Sequence, residues 1–271
     1  MQLNRILVLT LLLVAGRALA QDDRPKFSVP EPKMVERRPS GPLIITELQY
    51  QLAGQEDRFP NALAELGRFF KEASVAKKVE AELSWNQLPA DNPRLKQAAL
   101  VYMTGNQAVL QFGDSEKKGL AEYLNRGGLL YAEDIRASGA QGNLDGRNAG
   151  VEGTPFDRQF KALMRDPLVL GENGGRWVRV SKKHPLYSSC FDFPDGPPMG
   201  AASGGNVTDL EMLELRGRVA VIFSDLNISW YWGDFLASSR DRGLQFGVNL
   251  IVFAITQRAA GPPMRSTEEK R

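Results

Sequence analysis

Ala99-Leu100-Val101-Tyr102-Met103 is a continuous apolar run that stops at Thr104-Gly105. Leu129-Leu130-Tyr131-Ala132 is a second such run and stops at Glu133-Asp134. A strand with one wet face alternates apolar and polar residues, and a strand covered on both faces does not. Two short unalternating runs therefore predict central strands of a parallel sheet with helices on either side. If they are parallel neighbours, Thr104-Gly105-Asn106 and Glu133-Asp134-Ile135-Arg136 leave the sheet at one carboxyl edge. That edge is where open α/β sheets bind ligands.

The same alternation of elements extends outward. Ile44, Thr46, Leu48 and Tyr50 alternate with more polar neighbours and predict a half-buried strand. Leu63, Leu66 and Phe70 follow at helical spacing, with Phe69 and Ala73 beside them. Val79 to Ser84 is expected to be a second strand. Asp114 is placed to cap a helix whose Leu120, Tyr123 and Leu124 face inward and which ends at Gly127-Gly128. Thr154-Pro155-Phe156-Asp157 joins a capping box to a proline at the first helical position, and Phe156, Phe160, Leu163 and Met164 form the inner face. Leu210–Leu215 and Val219–Phe223 flank Arg216-Gly217-Arg218 as a hairpin, and Leu244 to Ile255 reads as a buried final helix. The whole predicts one doubly wound α/β domain over residues 43–257 with a mostly parallel sheet, its strand order left open.

The ends of the chain have a different character. Met1 to Arg5 is basic, Ile6 to Gly16 is apolar, and Ala18-Leu19-Ala20 is an A-x-A cleavage signal. This predicts a secretory signal peptide over residues 1–20, an exported protein in the periplasm or the medium, and no transmembrane anchor after cleavage before Gln21. Residues 21–42 hold Pro25, Pro30, Pro32, Pro39 and Pro42 among many charges and are expected to be a disordered linker, as is the tail over 258–271. Cleavage removes Arg5 and Arg17 and no acid, so the net charge of +2 falls to neutral. No field remains to draw the protein to nucleic acid. Cys190 is the only cysteine among 271 residues, so the chain has no internal disulfide and depends on packing.

The strings Leu100-Val101-Tyr102-Met103-Thr104-Gly105 and Tyr123-Leu124-Asn125-Arg126-Gly127-Gly128-Leu129-Leu130-Tyr131-Ala132-Glu133-Asp134 resemble the bacterial domain-of-unknown-function 4159 family. Phe156-Asp157-Arg158-Gln159-Phe160, His184-Pro185-Leu186-Tyr187 and Phe246-Gly247-Val248-Asn249-Leu250-Ile251-Val252-Phe253-Ala254 continue the resemblance in order. It runs from about Ile45 to Ile255. It implies a flavodoxin-like sheet similar to that of class I glutamine amidotransferases, and it implies no reaction. Two departures stand out: Asn106 occupies a position where the family often has His, and Asp225 to Gly233 matches loosely.

A class I amidotransferase places its nucleophilic cysteine on the turn after a central strand. Here that turn reads Thr104-Gly105-Asn106-Gln107 and has no thiol. Cys190 lies six residues after His184, the only histidine, and is expected to be a small buried hydrophobe beside Phe191 and Phe193. No G-x-S-x-G elbow occurs. Glu133 and Asp134, beside Arg136 and a loop carrying Gly139, Gly142, Gly146, Gly150 and Gly153, are the first candidate site. Thr104, Gly105 and Asn106 share the expected crevice. Trp230 and Trp232, with Tyr231 and Asp234, are a second candidate for stacking on a sugar or anchoring a partner. No metal and no cofactor is expected. Two functions follow from these residues. One is a non-catalytic binding domain for an envelope protein or a small polar ligand such as a sugar. The other is a hydrolase or carbohydrate-active enzyme using Asp134, Glu133 and His184, which requires His184 and Asp134 to converge.

Overall fold

The computed structural model describes residues 43–52, 59, 61–77, 82–105, 110–134, 155–198, 209–233 and 239–259. The expected signal peptide, the linker, Asn106, Arg136, Thr154, the glycine-rich loop, Asp234 and the tail beyond Ala259 lie outside the described residues.

Along the chain come β1 (Leu43–Gln49), β2 (Gln51–Leu52), α1 (Ala62–Lys77), β3 (Leu83–Pro89), β4 (Leu100–Gly105), β5 (Leu110–Gln111), α2 (Asp114–Asn125) and β6 (Leu130–Asp134). Then follow α3 (Pro155–Arg165), β7 (Arg176–Arg179), β8 (Glu211–Leu215), β9 (Arg218–Ser224), α4 (Trp230–Gly233) and α5 (Arg240–Ala259). Seven strands form one sheet in the order β3-β1-β4-β6-β9-β8-β7. The first five are mutually parallel, and β8 and β7 add an antiparallel flank. The fold is therefore mixed α/β with a mostly parallel sheet. The chain steps outward from β1 to β3 and then crosses back to β4, so its direction of growth reverses between β1 and β4.

Two cores explain the two unalternating runs. Leu100 and Tyr102 pack on one face of the sheet with Tyr131, Leu66 and Phe70 of α1, and Phe246 and Leu250 of α5. Val101 and Met103 pack on the other with Ala132, Phe223, Leu120 and Tyr123 of α2, and Phe156 and Phe160 of α3. Successive strand residues point to opposite faces, so a strand between two helix layers must be apolar at every position.

The edges depart from expectation. The second strand is described over Leu83–Pro89, overlapping the expected Val79–Ser84 at Leu83 and Ser84, while residues 79–81 lie outside the described residues. It is in register with β1 from Leu43↔Leu83 to Gln49↔Pro89. As an edge strand it buries only Leu88 fully, so its apolar pattern is faint. Arg176–Arg179 forms the opposite edge and escaped the sequence reading, because its two apolar residues are framed by arginines. Asp114 opens α2 as its first residue, and Gly113 is the cap. The Glu116 carboxylate accepts from the Gly113 amide at 2.8 Å. The hairpin is present as β8 and β9, turning through Arg216 (φ 54°) and Gly217 (φ 74°). Both central residues are left-handed, as a two-residue hairpin turn requires.

α5 closes the amino ends of the strands. The Gln257 amide donates to the Val219 carbonyl at 2.7 Å and accepts from the Val219 amide at 2.8 Å. Arg258 donates to the carbonyls of Ala98 (2.9 Å) and Lys96 (2.7 Å). Asn249, buried on the same helix, donates to the carbonyls of Leu186 (2.9 Å) and Phe191 (2.8 Å) and accepts from the Phe191 amide at 2.7 Å. No helix among the described residues is long and apolar enough to cross a membrane.

Candidate functional site

The carboxyl edge of the sheet brings Thr104, Gly105, Glu133 and Asp134 together. Thr104 is level with Glu133 and Gly105 with Asp134, and Glu133 is level with Ser224 on the next strand. Glu133 and Asp134 are both 0% exposed, yet strand alternation sends them to opposite faces.

Glu133 points to the α5 side. Its Oε1 accepts from the Tyr131 hydroxyl (2.8 Å), the Ser224 hydroxyl (2.8 Å) and the Ile228 amide (2.7 Å). Its Oε2 accepts from the Ser229 amide at 2.8 Å and from the Ser229 hydroxyl. The Tyr102 hydroxyl donates to Ser229 in turn, at 2.8 Å. Burial pushes the Glu133 carboxyl above its ordinary value, and donors from Ser229, Tyr131 and Ser224 pull it back. A carboxylate with its lone pairs so occupied is a positioning residue. It ties the β9–α4 connection, in which buried Asn227 adopts φ 54°, to the end of β6.

Asp134 points to the α2–α3 side, where the preceding inward residues are Leu130 and Ala132. Asp225, also buried, comes directly after Ser224, the last residue of β9. Gly105 lies under α3. A Cβ there would come within 2.1 Å of the Phe156 ring and 2.9 Å of the Tyr50 hydroxyl, so the position packs helix against strand. Thr104 is half-buried, and its carbonyl accepts from the Tyr50 hydroxyl.

The other candidates lie elsewhere. Trp232 is 0% exposed, donates from Nε1 to the Gly243 carbonyl at 2.8 Å, and packs its ring on Tyr102 (5.5 Å) and Tyr131 (5.9 Å). It belongs to the core above Glu133. Trp230 and Tyr231 are half-buried and meet edge to face at 5.3 Å. His184 caps a short 3-10 turn, Pro185–Ser188, its Nδ1 accepting from the Leu186 amide at 3.3 Å. Its ring packs on Phe253, one turn before the Gln257 that holds the start of β9. His184 is thus tied to the amino side of the sheet and Asp134 to the carboxyl edge. Burial lowers the His184 pKa. Cys190 is half-buried rather than buried, packed at the rim of the α5-side core with Phe191 and near Phe193.

Sequence reasoning singled out both acids and missed Ser224, Ser229 and Tyr131 as the partners of Glu133. The signal available was the polar string Ser224-Asp225-Leu226-Asn227-Ile228-Ser229 after a buried strand, which has no packing reason to be polar. Among the described residues no three His, Cys, Asp or Glu side chains are placed to hold a metal ion.

A mostly parallel α/β sheet carrying buried acids at its carboxyl edge defines the class of domain. The chain belongs to the family described as Domain of unknown function (DUF4159), which it matches over residues 44–255. No curated protein matches the chain.

Proposed function

We propose that this is an exported bacterial envelope protein whose domain binds a partner or a small polar ligand at the carboxyl edge and does not catalyse a reaction. The observation that carries this is the separation of the chemistry. The only histidine is engaged with Leu186 and Phe253, and Asp134 stands at the far end of β6. An acid–base pair between them is not assembled. The turn after Met103 offers Thr104-Gly105 where an amidotransferase carries its thiol.

The finer fold assignment is part of the proposal. Numbered by themselves, the five parallel strands β1, β3, β4, β6 and β9 stand in the order 2-1-3-4-5, that of flavodoxin-type sheets. This supports a flavodoxin-like, class I glutamine amidotransferase-like arrangement. The basic, apolar and A-x-A segments of Met1–Ala20 support export.

Asp134→Asn tests the binding reading, because it keeps the buried shape and removes the carboxyl group. We expect near-normal urea unfolding and loss of complementation in a deletion strain. Full complementation by a folded Asp134→Asn protein overturns the assignment of the edge. A hydrolytic activity of pure protein that disappears in both Asp134→Asn and His184→Asn overturns the non-catalytic reading.

A further inference from the structure

A cleft of about 710 Å³ opens between β5, the start of α2 and the outer side of α3. Its size lies within the ~300–1,000 Å³ of small-molecule sites. Its place is set by the topology. β2 follows β1 and β5 follows β4, and the two short strands pair antiparallel. This ribbon therefore stands beyond the carboxyl ends of the two strands between which the sheet reverses, the preferred place for a ligand in such folds. Gln159 of α3 accepts from the Leu110 amide at 2.7 Å and fixes the ribbon against that helix.

The lining chooses the ligand. Phe112 offers an apolar ring braced by stacking on Tyr50 at 5.8 Å. Lys117 is paired with Asp166 at 2.8 Å, a bond that raises the lysine's pKa and lowers the aspartate's, so both are charged at neutral pH. Glu116 is bonded to the Gly113 amide. The start of α2 would ordinarily attract a phosphate. Here Asp114 and Glu116 of its own first turn already place negative charge there. What remains are ammonium hydrogens and carboxylate lone pairs with no spare positive charge, next to an aromatic face.

We propose that this cleft binds a neutral, hydroxyl-rich small molecule of the sugar or polyol class. The inference rests on the reading of the protein as a binding domain and adds a second place, apart from Asp134, with its own ligand chemistry. Hydroxyls bridge the Lys117–Asp166 pair and Glu116, and the C–H face of the ring lies on Phe112.

Amide NMR of the full chain tests it, with cellobiose, maltose and N,N′-diacetylchitobiose as neutral probes and inorganic phosphate and putrescine as charged ones. A neutral disaccharide is expected to shift the amides of residues 110–117 and 159–166. Ala162 is exposed and lines the cleft, so Ala162→Trp fills it without removing a bond. This variant should weaken the response at least tenfold with unchanged melting. Should it melt early, Phe112→Ala carries the same expectation. The proposal is overturned if no neutral probe shifts these amides, if phosphate or putrescine does so instead, or if Ala162→Trp binds as the parent does. Shifts confined to residues 103–105 and 130–134, lost in Asp134→Asn, overturn the cleft and leave the carboxyl-edge reading standing.

Discussion

The two ends of the parallel strands are finished in different ways. At the amino end, α5 reaches over with Gln257 and Arg258 and satisfies backbone groups of Val219, Ala98 and Lys96. At the carboxyl end the strands themselves supply acids, and the next connection wraps around one of them: Ser224, Ile228 and Ser229 all donate to Glu133. Gln257 is half-buried and Arg258 exposed, so their bonds to backbone close the fold with little burial of polar groups. A buried carboxylate costs several kcal/mol of desolvation unless donors surround it, and nothing about packing requires one. The contrast assigns simple closure of the fold to the amino end and preorganisation, dependent on one buried acid, to the carboxyl end.

The largest effect should come from removing the acid at the centre of that contrast. Glu133→Ala strands two backbone amides and three hydroxyls in a dry site, and each unsatisfied group costs about 1–3 kcal/mol. We expect a loss above ~3 kcal/mol in urea unfolding, with Trp232 fluorescence reporting loosening of the β9–α4 connection. Glu133→Gln should also destabilise, because its amide nitrogen would face the Ser229 amide, donor to donor. A Glu133→Ala protein within about 1 kcal/mol of the parent would break the comparison, leaving the carboxyl end no more dependent on its acid than the amino end is on its amides.

Next in size is Gly105→Ala. Its added methyl group meets the Phe156 ring at 2.1 Å, and overpacking of this kind costs about 1–3 kcal/mol. Relief by Phe156→Leu in the double variant would sharpen the assignment of Gly105 to helix packing. A neutral Gly105→Ala would return the position to the list of groups that meet a ligand. Gln257→Ala at the other end should cost about 1 kcal/mol, since Gln257 is itself half-buried and its removal lets water reach the two Val219 backbone groups it leaves. A loss as large as that of Glu133→Ala would erase the difference between the ends.

The central strands were legible because two cores leave no position for a polar residue, so Leu100 to Met103 and Leu130 to Ala132 announce themselves. The edge strands were not. β3 buries one residue fully and carries exposed Trp85, so no period-2 signal survives. The acids at the end of β6 were visible as polar residues without a packing reason. Their division of labour was not, because every partner of Glu133 except Tyr131 lies 91 to 96 residues away and is brought up only by the pairing of β6 with β9. Trp232 shows the converse difficulty. An aromatic cluster looks the same in sequence whether it faces water or the core, and the Nε1 bond to the Gly243 carbonyl decides the matter. His184 was legible as the only histidine, and its place at the amino side of the sheet was not.

The smallest effect sharpens the comparison from the amino side. His184 uses neutral Nδ1 to accept from the Leu186 amide, and burial lowers its pKa from the ordinary 6.5. The unfolded chain takes up a proton near 6.5 and the folded protein resists it, so between the two values the unfolded state holds more protons. Stability is then fully present above about pH 7 and declines as the pH falls through 6.5 toward the lower folded value. His184→Asn keeps an acceptor at a position that favours asparagine and cannot titrate. At pH 8 the two proteins should unfold within ~0.5 kcal/mol of each other, as for other mild substitutions. Between about pH 7 and 5.5, above the main carboxylate range, the parent should lose stability faster than the variant. Parallel pH profiles would show that His184 is not held neutral by its turn. Loss of function in His184→Asn with unfolding unchanged at pH 8 would show that the histidine does more than cap a turn, and the amino end would then need a chemical role of its own.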